Sequence, residues 1–402
     1  MECKKDAMTL LSQRIQRVKV SPTMAVTAKA AELRAAGHDI ISLAAGEPDF
    51  ATPDAIKHAG IAAIQNGDTQ YTAVGGTAAL KQAIVHKFRR DNGLVYAPSE
   101  VMVSSGGKQC CYNLAQVLLD PGDEAVIPAP YWVSYPDMVR LADGEPVIIP
   151  TDYNHRYKIT PEQLDAALGP RTRLLFLNSP SNPAGMAYSR RELAAFGEVL
   201  QAYPQVVIGS DDMYEAIYWA DEPFSNIVMA CPPLRERTVI LHGVSKAYAM
   251  TGWRIGYCAG PEALIQAMST VQSQSTSGAC SISQAAAVVA LNADQSCVAT
   301  MCSAYRYRHD RVIEQLTAIP GMRIASGDGT FYAFPDCQAL IERLAGVDDD
   351  VALAEYVLEH AGVALVPGSA FGVPGCLRLS FAADLATLDE ALRRMRLALT
   401  PV

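Results

Sequence analysis

Between Lys158 and the C-terminus the chain carries one lysine, Lys246, among many arginines. It follows the apolar run Thr238 to His242 and sits in the turn Gly243 to Lys246, with Gly252, Trp253 and Arg254 shortly after. A lysine amine attacks a carbonyl only when neutral, so a catalytic one needs burial or a nearby cation to lower its pKa; apolar neighbours and Arg254 offer both. The plain alternative is a solvated loop lysine, the usual fate of the residue type.

Four further polar clusters follow apolar runs in the same manner: Ser104 to Gln109, Pro130 to Trp132, Asn178 to Pro183, and Ser210 to Tyr214. The runs before them, Val101–Ser104, Glu124–Ile127, Leu174–Leu177, Val206–Ile208 and Val239–Leu241, read as short strands. They alternate with helix-period stretches such as Gln109–Leu119. This is α/β patterning with a mostly parallel sheet between helices. In such a sheet ligands bind beyond the carboxyl ends of the strands, so the five clusters are expected on one edge. After Ala299 the pattern changes. Tyr305–Arg311 reads as the exposed face of a helix, followed by strands near Phe331–Phe334 and Cys376–Ser380, which suggests a smaller α+β domain. The expected division is an arm with part of the small domain over 1–50, a large α/β domain over 51–299 and a small domain over 300–402.

A chain of 402 residues that is 50% hydrophobic and 19% charged is large enough for two domains. A formal charge of -9 argues against a nucleic-acid partner but allows a local cationic pocket. The apolar runs are too short to cross a bilayer, and Met1–Asp6 leads into a charged stretch with no signal-peptide core, so a cytoplasmic location is expected. The ten cysteines show no CxxC pair, and neither a zinc site nor a disulfide framework is indicated.

The clustered residues suit one cofactor, pyridoxal 5'-phosphate. Gly106 and Gly107 at a helix start offer N–H groups and the positive helix end to a phosphate, with Ser245 and Arg254 adding a hydroxyl and a cation. Asp211 suits a protonated pyridine nitrogen, Asn182 and Tyr214 the ring oxygen, and Trp132 the ring face. Helix capping by Asp211 and core packing of Trp132 and Tyr214 are the structural alternatives. Arg378 alternates with Leu377 and Leu379 and suits a carboxylate, or else a structural ion pair. Lys108 either points into the pocket or is a solvated helix-start residue.

The segments Ala45–Phe50, Pro130–Pro136, Asn178–Pro183, Ser245–Gly256 and Leu377–Ser380 resemble those of class I and II aminotransferases, fold type I of the pyridoxal phosphate enzymes. Gly106–Gln109 is similar to the bacterial aspartate aminotransferase branch. The resemblance runs from about Ser21 to about Ala398. It implies that Lys246 carries the cofactor, Asp211 pairs with its ring nitrogen, Asn182 and Tyr214 hold its ring oxygen, and Arg254 binds its phosphate. It also implies that Arg378 binds the substrate α-carboxylate with backbone from Gly46, and that Lys108 serves the distal carboxylate. A homodimer with shared sites would bring Tyr71 across from the partner chain. Departures from the commoner pattern stand at Ala184, Asp212, Gly243, Tyr135 and Thr330.

The expected activity is therefore a ping-pong transfer between amino acids and 2-oxo acids, with aspartate or glutamate and 2-oxoglutarate or oxaloacetate as first choice. Prephenate or aromatic amino acids are the alternative within the class. A fold type I lyase or decarboxylase would share every cofactor residue, and a cofactor-binding regulator would need a further segment for which this reading leaves no room.

Overall fold

The computed structural model describes residues 11–18 and 20–400, so the reading of Met1–Asp6 falls outside the described residues. Among the described residues the strands are β1 (Ile41–Ser42), β2 (Val101–Ser104), β3 (Glu124–Pro128), β4 (Glu145–Ile149), β5 (Thr172–Asn178), β6 (Val207–Asp211), β7 (Thr238–Gly243), β8 (Gly256–Ala259), β9 (Tyr332–Ala333), β10 (Val363–Ala364), β11 (Val366–Pro367) and β12 (Leu377–Ser380).

Seven of them form one sheet in the order β2-β8-β7-β6-β5-β3-β4. Every neighbouring pair is parallel except those made by β8, which runs against β2 and β7. Helices cover both faces, so the strands lose the in–out alternation: the edge strand β2 and the inner strands β7 and β8 are buried along their whole length. Phe88, Leu177, Phe196 and Tyr257 belong to one cluster and Leu114, Phe176, Leu241 and Met268 to another. Cys110, Cys111 and Cys258 are buried in the second, as small apolar side chains. Local signals fix the helix starts: Ser189 accepts from Glu192 N at 3.2 Å while Glu192 reaches back to Ser189 N at 2.7 Å, a reciprocal cap for Arg190–Leu200.

The remaining strands build two small sheets, β1 with β10 and β11-β12-β9. Leu353, Val363, Leu377, Leu392 and Met395 pack their core. Strand β1 therefore ties an early segment to the C-terminal part of the chain.

Within the seven-stranded sheet two strands were not foreseen, β4, whose Glu145–Ile149 run contains a proline, and the glycine-led β8; the short β1, β10 and β11 of the small sheets were not foreseen either. The segment Tyr305–Arg311 also needs correcting. It is helical, within Ser296–Thr317, but Tyr305, Arg308 and His309 are buried, because aromatic and cationic groups on that face find partners inside.

Candidate active site

The carboxyl ends of β2, β3, β5, β6 and β7 open on one cavity of about 600 Å³. Eleven of the thirteen residues singled out in the sequence line it: Gly46, Gly107, Lys108, Trp132, Asn182, Asp211, Tyr214, Ser245, Lys246, Arg254 and Arg378. Gly106 lies directly behind it, and its N–H is spent on Ser104 O at 2.8 Å, so Gly107 rather than Gly106 opens the helix Gly107–Leu118 with its N–H. Tyr71 is not brought there by its own chain. It is 99% exposed, beyond the helix Asp54–Gln65.

Lys246 donates to Gly46 O at 2.5 Å, and its ammonium lies 5.8 Å from the centre of the Phe331 ring. Burial is the main reason its pKa falls from 10.5 to about 8. Arg378 and Arg254 push the same way, while Glu47 and Asp211 oppose them. The lysine is thus near the balance between charged and neutral at ordinary pH.

Asp211, at the end of β6, is 7% exposed. Burial raises its pKa, and the hydrogen bond from Tyr135 Oη, 2.5 Å from Oδ2, works against that rise. Met213 N donates to the other oxygen at 3.2 Å. Tyr135 therefore supplies the side-chain support for the carboxylate.

The glycines form a junction of bare backbone. A Cβ on Gly106, whose φ is +89°, would land on the Arg254 guanidinium, and one on Gly256 would land on the backbone of Gly106 and Gly107. At Gly243 a Cβ would lie 3.0 Å from Ile255 O and 3.2 Å from Gly256 Cα, so any side chain there would press on backbone. Arg254 precedes β8, and because β8 is antiparallel its start falls on the same edge as the ends of its neighbours. Its guanidinium donates to Thr251 O at 3.1 Å and Ser105 O at 3.4 Å, holding it beside the helix start.

Arg378, on β12, is 2% exposed, with Tyr332 and Phe371 rings 4.6 and 4.9 Å from its guanidinium carbon. It donates to Asn182 Oδ1 at 3.1 Å and Ala44 O at 2.5 Å, and its Nε has no partner. A buried guanidinium with an unused donor calls for an anion. Tyr214 Oη and Tyr332 Oη are 3.0 Å apart. Lys108 lies over the Trp132 ring at 4.9 Å, and partial burial, aided by Arg254, lowers its pKa.

The cavity also contains residues that sequence reasoning missed. Ser21, Thr23, Met24 and Thr27 come from the helix Pro22–Ala35 and its N-cap, and Glu47 and Tyr332 complete the wall. Tyr332 was visible as part of an aromatic strand; nothing in residue type marked the helix. The other departures are structural: Ala184 is buried, Asp212 accepts from Ser210 Oγ at 2.7 Å and Asn226 Nδ2 at 2.7 Å, and Thr330, at φ +69°, accepts from Tyr332 N at 3.2 Å.

An amine near neutrality, a buried carboxylate, a glycine cradle with a cation, and a second buried cation with a free donor could hold an anionic amine-bearing substrate and an anionic carbonyl cofactor. The family described as aminotransferase class I and II matches residues 38–395. The chain is 56% identical to an aspartate/prephenate aminotransferase of Nitrosomonas europaea, over 96% of this chain and 98% of the relative, and 52% identical to one of Cereibacter sphaeroides, over 96% of each. Among solved structures it superposes on the aspartate aminotransferase of Rhizobium meliloti with a TM-score of 0.94, 45% identity and coverage of 97% and 98%. The Thermus thermophilus aspartate aminotransferase with maleate gives a TM-score of 0.91, 42% identity and coverage of 97% and 99%. The site geometry, the sheet order and these likenesses together make the chain a member of the class I and II aminotransferase family, with the fold type I architecture of its solved relatives.

Proposed function

We propose that the enzyme exchanges amino groups between aspartate or glutamate and 2-oxoglutarate or oxaloacetate, using pyridoxal 5'-phosphate. The observation that carries this reading is the buried Arg378 with its unpartnered Nε, in one cavity with the pKa-lowered Lys246. The residues suit the cofactor: Gly107 N–H, Ser245 and Arg254 would hold its phosphate beside the glycine cradle. Asp211 would hold its ring nitrogen, Asn182 and Tyr214 its ring oxygen, and Trp132 its ring face. When bound, pyridoxal phosphate supplies the electron sink that lets the substrate Cα–H bond ionise.

The chain's own groups do the rest. Lys246 Nζ takes the Cα proton and returns one, a task suited to an amine whose pKa is about 8. Arg378 grips the α-carboxylate through its fork, and the Gly46 carbonyl orients the amine that faces it. Lys108 meets the distal carboxylate at the mouth of the cavity. Asp211, kept from water by burial and bonded by Tyr135, holds a negative charge where a protonated ring nitrogen needs it.

Relatives named as aspartate/prephenate aminotransferases favour prephenate as a second oxo-acid partner, since a pocket reading two carboxylates suits both. The names of these relatives weigh against the lyase reading. The exposure of Tyr71 supports the reading of a homodimer in which it serves the partner's site. A cytoplasmic location belongs to the same proposal; among the described residues no single helix is long and apolar enough to cross a membrane.

The test is borohydride reduction of the cofactor-loaded enzyme followed by peptide mapping, with a panel of amino donors against 2-oxoglutarate. The label is expected on Lys246 and the highest kcat/KM with aspartate or glutamate. A label on another lysine, or a preference for neutral donors, overturns the proposal.

A further inference from the structure

The segment from Leu43 to Thr52 crosses the cavity without regular structure, so contacts rather than a backbone ladder set its position. At one end Leu43 bonds Ala364 O at 3.0 Å and Ser380 N at 2.8 Å, in the small sheets. At the other, Thr52 Oγ1 donates to Ala249 O at 2.6 Å and accepts from Trp253 Nε1 at 3.0 Å, just after the lysine turn. Between these ends the backbone serves two cations: Ala44 O takes Arg378, and Gly46 O takes Lys246. The fit is tight, because a Cβ on Gly46 would lie 2.5 Å from Tyr332 Oη.

One charged side chain in the middle of the segment is anchored from outside the cavity. Asp49 receives a two-pronged ion pair from Arg308, with Nη1 at 2.7 Å from Oδ1 and Nη2 at 2.9 Å from Oδ2. Arg308 is 9% exposed, on the long helix Ser296–Thr317. Its guanidinium carbon lies 5.0 Å from the Phe50 ring and 5.5 Å from the Tyr305 ring, and those rings meet edge-on at 5.4 Å. This differs from a surface ion pair. The fork fixes direction as well as distance, and the aromatic walls allow one orientation.

We infer that Arg308 is a positioning residue for the reaction: through Asp49 it holds the irregular segment that presents the carbonyls of Ala44 and Gly46, and so sets Arg378 and Lys246 relative to each other. Neither Asp49 nor Arg308 lines the cavity, so the effect is transmitted through three to five residues of backbone. The inference rests on the roles proposed above for Lys246 and Arg378.

The experiment uses the cofactor-loaded enzyme and two conservative variants, Arg308→Lys, which keeps the charge and loses the fork, and Asp49→Glu, which keeps the pair and shifts the segment by one methylene. Four readouts are taken: Tm, cofactor content, steady-state constants for aspartate, and the Kd of maleate as a dicarboxylate that does not react. Both variants are expected to retain cofactor and to lose roughly 10- to 100-fold in kcat/KM, the scale of an ångström-sized misplacement. Maleate should weaken by about tenfold, as for a charge-assisted bond made poorly. A merely structural pair would lower Tm and leave KM and the maleate Kd at native values, and that result overturns the inference. Failure of both variants to fold does so too, assigning the pair to folding. Arg378→Ala is the control: if it binds maleate as tightly as the native enzyme, the reading of Arg378 itself is wrong, whatever the Arg308 variants do.

Discussion

Lys246 titrating at about 8 instead of 10.5 gives a direct measurement. At pH 8 such an amine is about half neutral, whereas an ordinary lysine is ~0.3 per cent neutral, so the pH dependence of Lys246 acetylation by acetic anhydride should show a midpoint near 8 rather than 10.5. Competitive labelling of the cofactor-free protein between pH 6 and 11, quantified by mass spectrometry, reads the midpoint. The causes predict the signs of its shifts. Arg378→Met or Arg254→Met removes a repelling cation and should move the midpoint up, while Glu47→Gln removes an attracting anion and should move it down. Stability follows by linkage. A lowered lysine pKa means that below pH 8 the folded chain bears the full penalty of a buried ammonium, at most ~3 kcal/mol. As pH rises from about 8 to 10.5 the unfolded chain still holds a proton the folded one has released, so the unfolding free energy should rise over that window relative to Lys246→Met. A labelling midpoint near 10.5, or shifts of the wrong sign in the charge variants, refutes the reasoning.

Three other outcomes are expected. Tyr135→Phe removes a hydrogen bond to a buried carboxylate, about 1.5–3 kcal/mol, and should weaken cofactor retention and kcat by ~10- to 100-fold while leaving the fold intact by circular dichroism. Lys108→Met should lower kcat/KM for aspartate by ~10- to 100-fold and for alanine much less; equal losses would reassign Lys108 to cofactor binding or structure. Tyr71→Ala and Lys246→Ala homodimers should each be impaired, and mixing them should restore activity in heterodimers. Activity no higher than the parental average would remove Tyr71 from any shared site.

The chemistry of the site was legible because its residues follow apolar runs. Strand ends gather on one edge of a parallel sheet, so Lys108, Asn182, Asp211 and Lys246 could be grouped before any coordinates. Arg378 was recognisable from its alternation with leucines, but its depth was not, since burial of an arginine depends on what comes to cover it: here Tyr332, Phe371 and Ala44. The same reason hid Arg308, whose segment looks like a solvated helix face until Asp49, 259 positions earlier in the chain, and its neighbour Phe50 pack against it. Strand β8 escaped notice because it is short, glycine-led and antiparallel, and the helix Pro22–Ala35 because its role depends on where it docks.

The glycine junction divides the cavity into ends with different freedom to change. A side chain at Gly106 would meet the Arg254 guanidinium, one at Gly107 the Met213 methyl, and one at Gly243 or Gly256 neighbouring backbone, so none of the four faces empty space. The helix Pro22–Ala35 also lines the cavity, and of its residues only Ala30 is fully buried, with Met24 and Thr27 exposed. An engineer seeking a new amino donor would therefore leave the junction alone and vary Thr23, Met24 and Thr27. There a library can sample volume and polarity around the incoming side chain at little expense to folding, while the cofactor end keeps working as one inherited part.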